Sequence, residues 1–166
     1  MGWDYMYTNG IKVNAKEMLD KAFSKSTRVL KSCMRGSVYY AAIELEENGE
    51  KQTTAYVVLT RQNKDGFGTK FMSETVGPVE SNCPLSILNL LTPIDSKYAN
   101  EWRKRCRENA SKPKLGKLPI GTRIQMKDGT ILICEAPSHQ FKTKWWRKEG
   151  ELKYIPKRYI GEFTLL

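Results

Sequence analysis

Histidine is almost absent from this chain of 166 residues: His139 stands alone. The four cysteines, Cys33, Cys83, Cys106 and Cys134, are 50, 23 and 28 residues apart and include no C-x-x-C, which argues against a zinc site. They read instead as small core residues of a reducing compartment. No G-x-G-x-x-G, no H-E-x-x-H and no G-x-x-x-x-G-K followed by Ser or Thr occurs, so no cofactor is expected. Long apolar runs are missing as well. The longest uninterrupted aliphatic stretches are only a few residues, as in Val57-Val58-Leu59, against the ~20 residues of a membrane span. The opening, Met1-Gly2-Trp3-Asp4-Tyr5, has neither the basic nor the apolar region of a secretory leader. A cytoplasmic protein without a membrane partner is expected.

Acid is the other shortage. Eighteen Asp and Glu face 28 Lys and Arg, a net charge of +10. Residues 1–96 hold 11 of each sign, so the whole excess falls on residues 97–166, with 17 basic and 7 acidic side chains. Such asymmetry points to a polyanion held by one part of the molecule. Nucleic acid, DNA or RNA, is the leading partner; an acidic protein surface and a merely solvated basic surface are the alternatives. With 40% hydrophobic and 28% charged residues, the composition is that of a folded globular protein.

The pattern along the chain predicts an α+β protein: an antiparallel sheet with one long helix and a helical pair, then a small SH3-like basic β-barrel. The expected division is an α+β domain over 1–110, a linker over 111–117 and the barrel over 118–166. Residues 3–8 read as a strand stopped at Asn9-Gly10. Asn14 with Glu17 three residues on resembles a capping box. Ala15, Met18, Leu19, Ala22 and Phe23 then give one apolar face, so a helix is predicted over 14–25. Strands follow at Thr27–Met34, Ser37–Glu46 and Gln52–Gln62, with Asn48-Gly49 as a hairpin turn. Residues 63–82 read as loop with room for one short strand. Within them Asp65-Gly66-Phe67-Gly68-Thr69-Lys70-Phe71 loosely resembles an RNP1 box, but Asp65 and Lys70 break the pattern. Pro84 suits the start of a short buried helix capped by Ser81 or Asn82. Asp95 is expected to cap the next, whose stripe is Tyr98, Ala99, Trp102 and Cys106. In the tail, Lys127-Asp128-Gly129-Thr130 marks a hairpin, and further short strands fall in Phe141–Arg147 and Lys153–Thr164.

The richest binding candidate is the interleaving of bases and rings at Lys142, Lys144, Trp145, Trp146, Arg147 and Lys148, continued by Lys157 and Arg158. A ring stacks on a base while the cations hold phosphates, giving binding with little sequence preference. Alternation along a strand puts Lys144, Trp146 and Lys148 on one face, Trp145 and Arg147 on the other. The competing reading packs one or both tryptophans. Arg103, Lys104 and Arg107, off the helical apolar stripe, would extend the surface or form a solvated face. Glu74 and Glu80 flank a Gly-Pro turn with no partner in view. The one enzymatic idea is a cysteine-dependent hydrolase, with Cys83 or Cys134 as nucleophile and His139 as base. Cys83 precedes a helix start, where a thiolate would be stabilised.

Three stretches stand together: Gly2-Trp3; Glu74-Thr75-Val76-Gly77-Pro78 with Cys83-Pro84, Ile87-Leu88, Leu90-Leu91 and Thr92-Pro93; and Glu101-Trp102-Arg103 with Arg105-Cys106. This is similar to an uncharacterised domain family of bacterial mobile elements and phages, over most of residues 1–107. The resemblance implies no activity and no catalytic residue. It implies a context of accessory DNA-handling factors and of inhibitors of host defence, anti-CRISPR and anti-restriction proteins among them. A small non-enzymatic nucleic-acid-binding accessory protein is therefore the leading expectation. The rival is an inhibitor that binds a ribonucleoprotein nuclease through its protein or its guide RNA. The sequence leaves the oligomeric state open.

Overall fold

A computed structural model describes residues 2–136 and 144–166, and the chain divides into two compact units, residues 1–111 and 112–166. Each is built on a five-stranded antiparallel sheet, so the chain is mixed α/β.

The first unit begins with strand β1 (Asp4–Tyr7) and helix α1 (Ala15–Phe23). The helix starts as its sequence predicts. Asn14 Oδ1 accepts from the Glu17 backbone N–H at 3.3 Å. Glu17 answers on the Asn14 side-chain amide, at 3.2 Å, rather than on its backbone N–H, a variant of the capping box. Strands β2 (Arg28–Arg35), β3 (Val38–Glu47), β4 (Glu50–Gln62) and β5 (Gly66–Ser73) form a meander, and β1 pairs with β5 to give the order β1-β5-β4-β3-β2. Asn48 and Gly49, between β3 and β4, have φ of 52° and 79°, the two positive values that a two-residue type I′ hairpin demands.

Strand β5 takes the segment that resembles an RNP1 box, which reads as loop, into a strand of full length. Its eight residues contain Gly66 and Gly68, a residue type depleted in strands. The glycines make room. A β-carbon on Gly68 would lie 2.6 Å from the Tyr5 ring, and one on Gly66 would lie 2.9 Å from the Met6 carbonyl oxygen. Tyr5 stands opposite Gly68 and covers its bare backbone with its ring, while Gly66 lets the β1 backbone come close at Met6.

Helix α1 packs Leu19 on one sheet face, against Tyr39, Ala41, Ile43 and Val58. Helices α2 (Leu85–Leu88) and α3 (Lys97–Ser111) pack Ile87, Leu88, Trp102 and Cys106 on the other, against Tyr40, Ala42, Ala55, Val57 and Met72. The pleat sends alternate residues of β3 into two different cores, which is why Tyr39–Ile43 is buried without a break. The caps differ from expectation. Pro84 takes the cap position of α2 with no side-chain bond, and Ser96, not Asp95, accepts from the Ala99 N–H at the start of α3.

In the second unit, β6 (Arg123–Met126), β7 (Ile131–Glu135), β8 (Trp145–Lys148), β9 (Tyr154–Ile155) and β10 (Phe163–Leu165) lie in the order β10-β6-β7-β8-β9. The Asp128-Gly129 hairpin forms as expected, with Gly129 at φ 84° and Asp128 Oδ1 accepting from the Thr130 N–H at 2.9 Å. The sheet is open: among the described residues no strand pairing closes β9 onto β10. Its core is Leu115, Leu118, Ile124, Leu132, Cys134, Trp146 and Ile160. Leu115 falls within the stretch expected to be linker, yet it is buried, on the 3-10 turn Leu115–Lys117.

Candidate nucleic-acid interface

Strand β8 divides its two tryptophans. Trp146 points into the core of the second unit and is 2% exposed, so it presents no ring for stacking. Trp145 takes the other face and meets Tyr154 of β9 edge to face, with ring centroids 4.8 Å apart. Arg147 shares that face but is engaged: its Nε donates to Glu135 Oε1 at 2.6 Å and its Nη1 to the Glu151 carbonyl at 3.1 Å. The Arg147 guanidinium, and then the Tyr154 hydroxyl, hold the Glu135 carboxyl below the usual carboxylate range. Lys144 donates to the Leu118 carbonyl at 2.5 Å, and Lys148 pairs with Glu151 at 2.5 Å. Lys142 and His139 lie outside the described residues.

The cluster that is rich in sequence is thus largely spent on local bonds. The exposed cations lie elsewhere. Arg123 pairs with Glu149 and Lys127 with Glu162, so every glutamate of the second unit faces a base. That unit holds 12 basic and 5 acidic residues, a net charge of +7. Lys114, Lys117, Lys153, Lys157 and Arg158 are exposed. Two 3-10 turns bring four of them together. A β-carbon on Gly116 would lie 3.1 Å from the Lys157 ammonium nitrogen, so the turn Lys157–Tyr159 abuts the turn Leu115–Lys117. Buried Leu115, Leu118 and Ile160 anchor both turns in one core. Arg158 also lies over the Tyr159 ring, 5.0 Å from its centroid, and that ring is mostly exposed. Lys114 and Lys117 were hidden in an apparent linker; their signal was the run of lysines itself.

The arginines of α3 are also bound. Arg103 Nε and Nη2 grip the two oxygens of Glu74 at 2.5 and 2.7 Å, and Nη1 donates to the Thr92 carbonyl at 2.7 Å. Glu74 is fully buried and further accepts from the Thr54 hydroxyl and the Ala55 N–H. The glutamate without a visible partner is therefore the hub of the first unit's polar core. Arg107 donates to Asn89 Oδ1 at 3.2 Å. Lys104 is exposed, 3.9 Å from Glu108.

The cysteines lie in poor surroundings for a nucleophile. Cys83 is buried, and burial pushes its thiol well above the ordinary range. Burial pushes Cys106 up to about 11 and raises Cys33 and Cys134. The thiolate does the attacking. In the native protein all four cysteines are therefore expected to react with iodoacetamide at neutral pH no faster than a free thiol, half-buried Cys33 leading; mass spectrometry of a time course checks this. Rapid labelling of Cys83 or Cys134 alone would restore the hydrolase idea. Among the described residues no group of histidine, cysteine and carboxylate side chains is arranged to hold a metal ion, and no helix is long and apolar enough to cross a membrane.

No curated protein and no solved structure matches the chain. The family similarity falls later than the motifs suggested, meeting them only at Pro93 and within α3. Residues 93–156, from Pro93 through α3 and the second sheet as far as β9, match a domain of unknown function, DUF6927.

Proposed function

We propose that this protein binds nucleic acid without enzymatic action, through the basic turns of its second unit. One observation carries the reading: after the unit's glutamates are paired, Lys114, Lys117, Lys157 and Arg158 remain exposed on two adjoining turns. Four such cations neutralise phosphates and release counterions, and they read no base edges, so sequence preference is low. The strand order supports an SH3-like half-open barrel: the last strand lies beside the first, and a 3-10 turn separates it from the fourth. In this reading the protein is a cytoplasmic accessory factor of a phage or mobile element.

Anisotropy of labelled single-stranded DNA, duplex DNA and RNA across a salt series tests this. The expected log–log slope is about −3 to −4 for four phosphate contacts. Lys114→Glu/Lys157→Glu/Arg158→Glu is expected to flatten the slope by about 2–3 and to weaken binding at least tenfold at low salt. A wild-type protein that binds none of the three at low salt sinks the proposal. One observation favours the rival, an inhibitor docking on a defence nuclease: Leu152 is 93% exposed on the same unit, beside Tyr154 two residues on. Unaltered capture of such a nuclease by the charge-reversed variant would promote that reading.

A further inference from the structure

The first unit carries a second surface that the basic turns do not explain. Strand β1 lies at the edge of its sheet, and every residue of it is exposed. Trp3, Tyr5 and Tyr7 alternate to one face and are 37%, 56% and 77% exposed. The Trp3 and Tyr5 rings already stack, with centroids 6.1 Å apart and planes 26° from parallel. Single exposed rings are ordinary; three at alternate positions, Trp3 just before β1 and two on it, make a strip.

Gly66 and Gly68 stand directly beside the strip, and the nearest charged sheet positions on its face are basic. Arg61 stands opposite Gly68, which stands opposite Tyr5, so the three share a face and Arg61 lies two strands from the ring, about 10 Å away. Lys70 lies two residues beyond Gly68 on the same face. The row through Lys70 runs by way of Leu59 and Val38 to Arg35. Asp4 pairs with Thr69 and so belongs to the opposite face. The carboxylates that β3 contributes to the strip's face, Glu44 and Glu46, lie past the middle that α2 and α3 cover, and Glu44 is held by Arg28 and Lys51. At this end the charged sheet positions on the strip's face are therefore all cationic.

Gly66 and Gly68 shape this end. Because neither has a side chain, the Tyr5 ring lies over Gly68, and no β5 side chain stands between Tyr5 and Arg61. We propose that the strip of Trp3, Tyr5 and Tyr7, with Lys70 and Arg61 on the two neighbouring strands, is a stacking platform for single-stranded nucleic acid. Bases lie on the rings while the phosphates reach the cations. Duplex DNA keeps its bases stacked on one another and gains nothing from the rings. The platform uses none of the residues of the second unit, so it stands or falls apart from the basic turns.

The test is a matrix of full-length proteins against fluorescein-labelled (dT)12 and a 12-base-pair duplex. Its proteins are wild type, Trp3→Ala/Tyr7→Ala, Arg61→Glu/Lys70→Glu, and the triple charge reversal of the second unit. Tyr5 is left in place because it covers Gly68. The expected result is a tenfold or greater loss of (dT)12 affinity in Trp3→Ala/Tyr7→Ala, an unchanged salt slope and an unchanged duplex affinity. Arg61→Glu/Lys70→Glu is expected to weaken (dT)12 binding and to flatten its salt slope by about 1–2. Melting curves matching wild type certify the fold, and if the ring variant melts early the charge variant decides. Undiminished (dT)12 affinity in the certified variant overturns the proposal whatever the second-unit variant does. So does a concentration-dependent dimer in sedimentation that the ring variant abolishes while (dT)12 affinity holds, because the strip would then pair with a second copy of the chain.

Discussion

Arg103→Ala is expected to cost about 3–5 kcal/mol of folding stability, read from urea denaturation followed by circular dichroism. In sequence the residue is one base among five in a helix. In the fold it closes the charge of a carboxylate that has no exposure to water. Its removal leaves Glu74 with the Thr54 hydroxyl and the Ala55 N–H but no counter-charge, and leaves the Thr92 carbonyl without its donor. Arg103→Lys should recover part of the loss. A lysine supplies the charge but not the fork that grips both oxygens and still reaches Thr92. Adding Glu74→Gln to Arg103→Ala should also recover part, since the uncompensated charge is gone. A loss below about 1 kcal/mol would place the pair with ordinary surface ion pairs and refute the buried hub. Nucleic-acid affinity measured on Arg103→Ala would report this damage, not a lost phosphate contact.

Trp146→Ala is the second large effect. Truncating a tryptophan in a packed core costs about 3–5 kcal/mol, and a unit of 55 residues has only about 3–5 kcal/mol to lose. The second unit is therefore expected to unfold while the first stays folded. In an amide correlation spectrum the signals of residues 112–166 should collapse to the unfolded range and those of the first unit should hold. Trp145→Ala is the control. Trp145 is half-buried and its edge-to-face contact with Tyr154 is worth about 0.5–1.5 kcal/mol, so the unit should survive. A Trp146→Ala protein with a fully dispersed spectrum would remove Trp146 from the core and return it to the binding surface.

The contrast shows which parts of the molecule are legible from sequence. Local rules worked where the interaction is local. Asn14 with Glu17 marked the start of α1, and Asn48-Gly49 and Asp128-Gly129 marked their hairpins. The basic bias of the tail is likewise a property of composition. What failed depends on partners far along the chain. Gly66 and Gly68 look like loop residues until the Met6 backbone and the Tyr5 ring, some 60 positions earlier, are laid against them. Glu74 and Arg103 are 29 residues apart, and nothing in either neighbourhood announces the other. In the basic cluster the alternation of β8 was readable, but which face is the core was not. That choice depends on Ile124, Leu132 and Ile160, and it takes Trp146 out of any stacking role. The cations followed the same logic: Arg147 and Lys148 lie against carboxylates, whereas Lys157 lies beside Gly116 and Arg158 over the Tyr159 ring.

The unbalanced charge of the second unit bears on its physical state when no ligand is bound. A net +7 on 55 residues repels itself, and the compact form concentrates that repulsion. Added salt shortens the range over which the lysines feel one another, to about 10 Å at 0.1 M. Ionic strength thus acts in two opposed directions on the same turns: it loosens a bound polyanion and steadies the empty fold. Weakening of binding along a salt series therefore cannot be ascribed to melting of the unit, and a polyanion that occupies the turns at low salt takes over the shielding that ions supply at high salt.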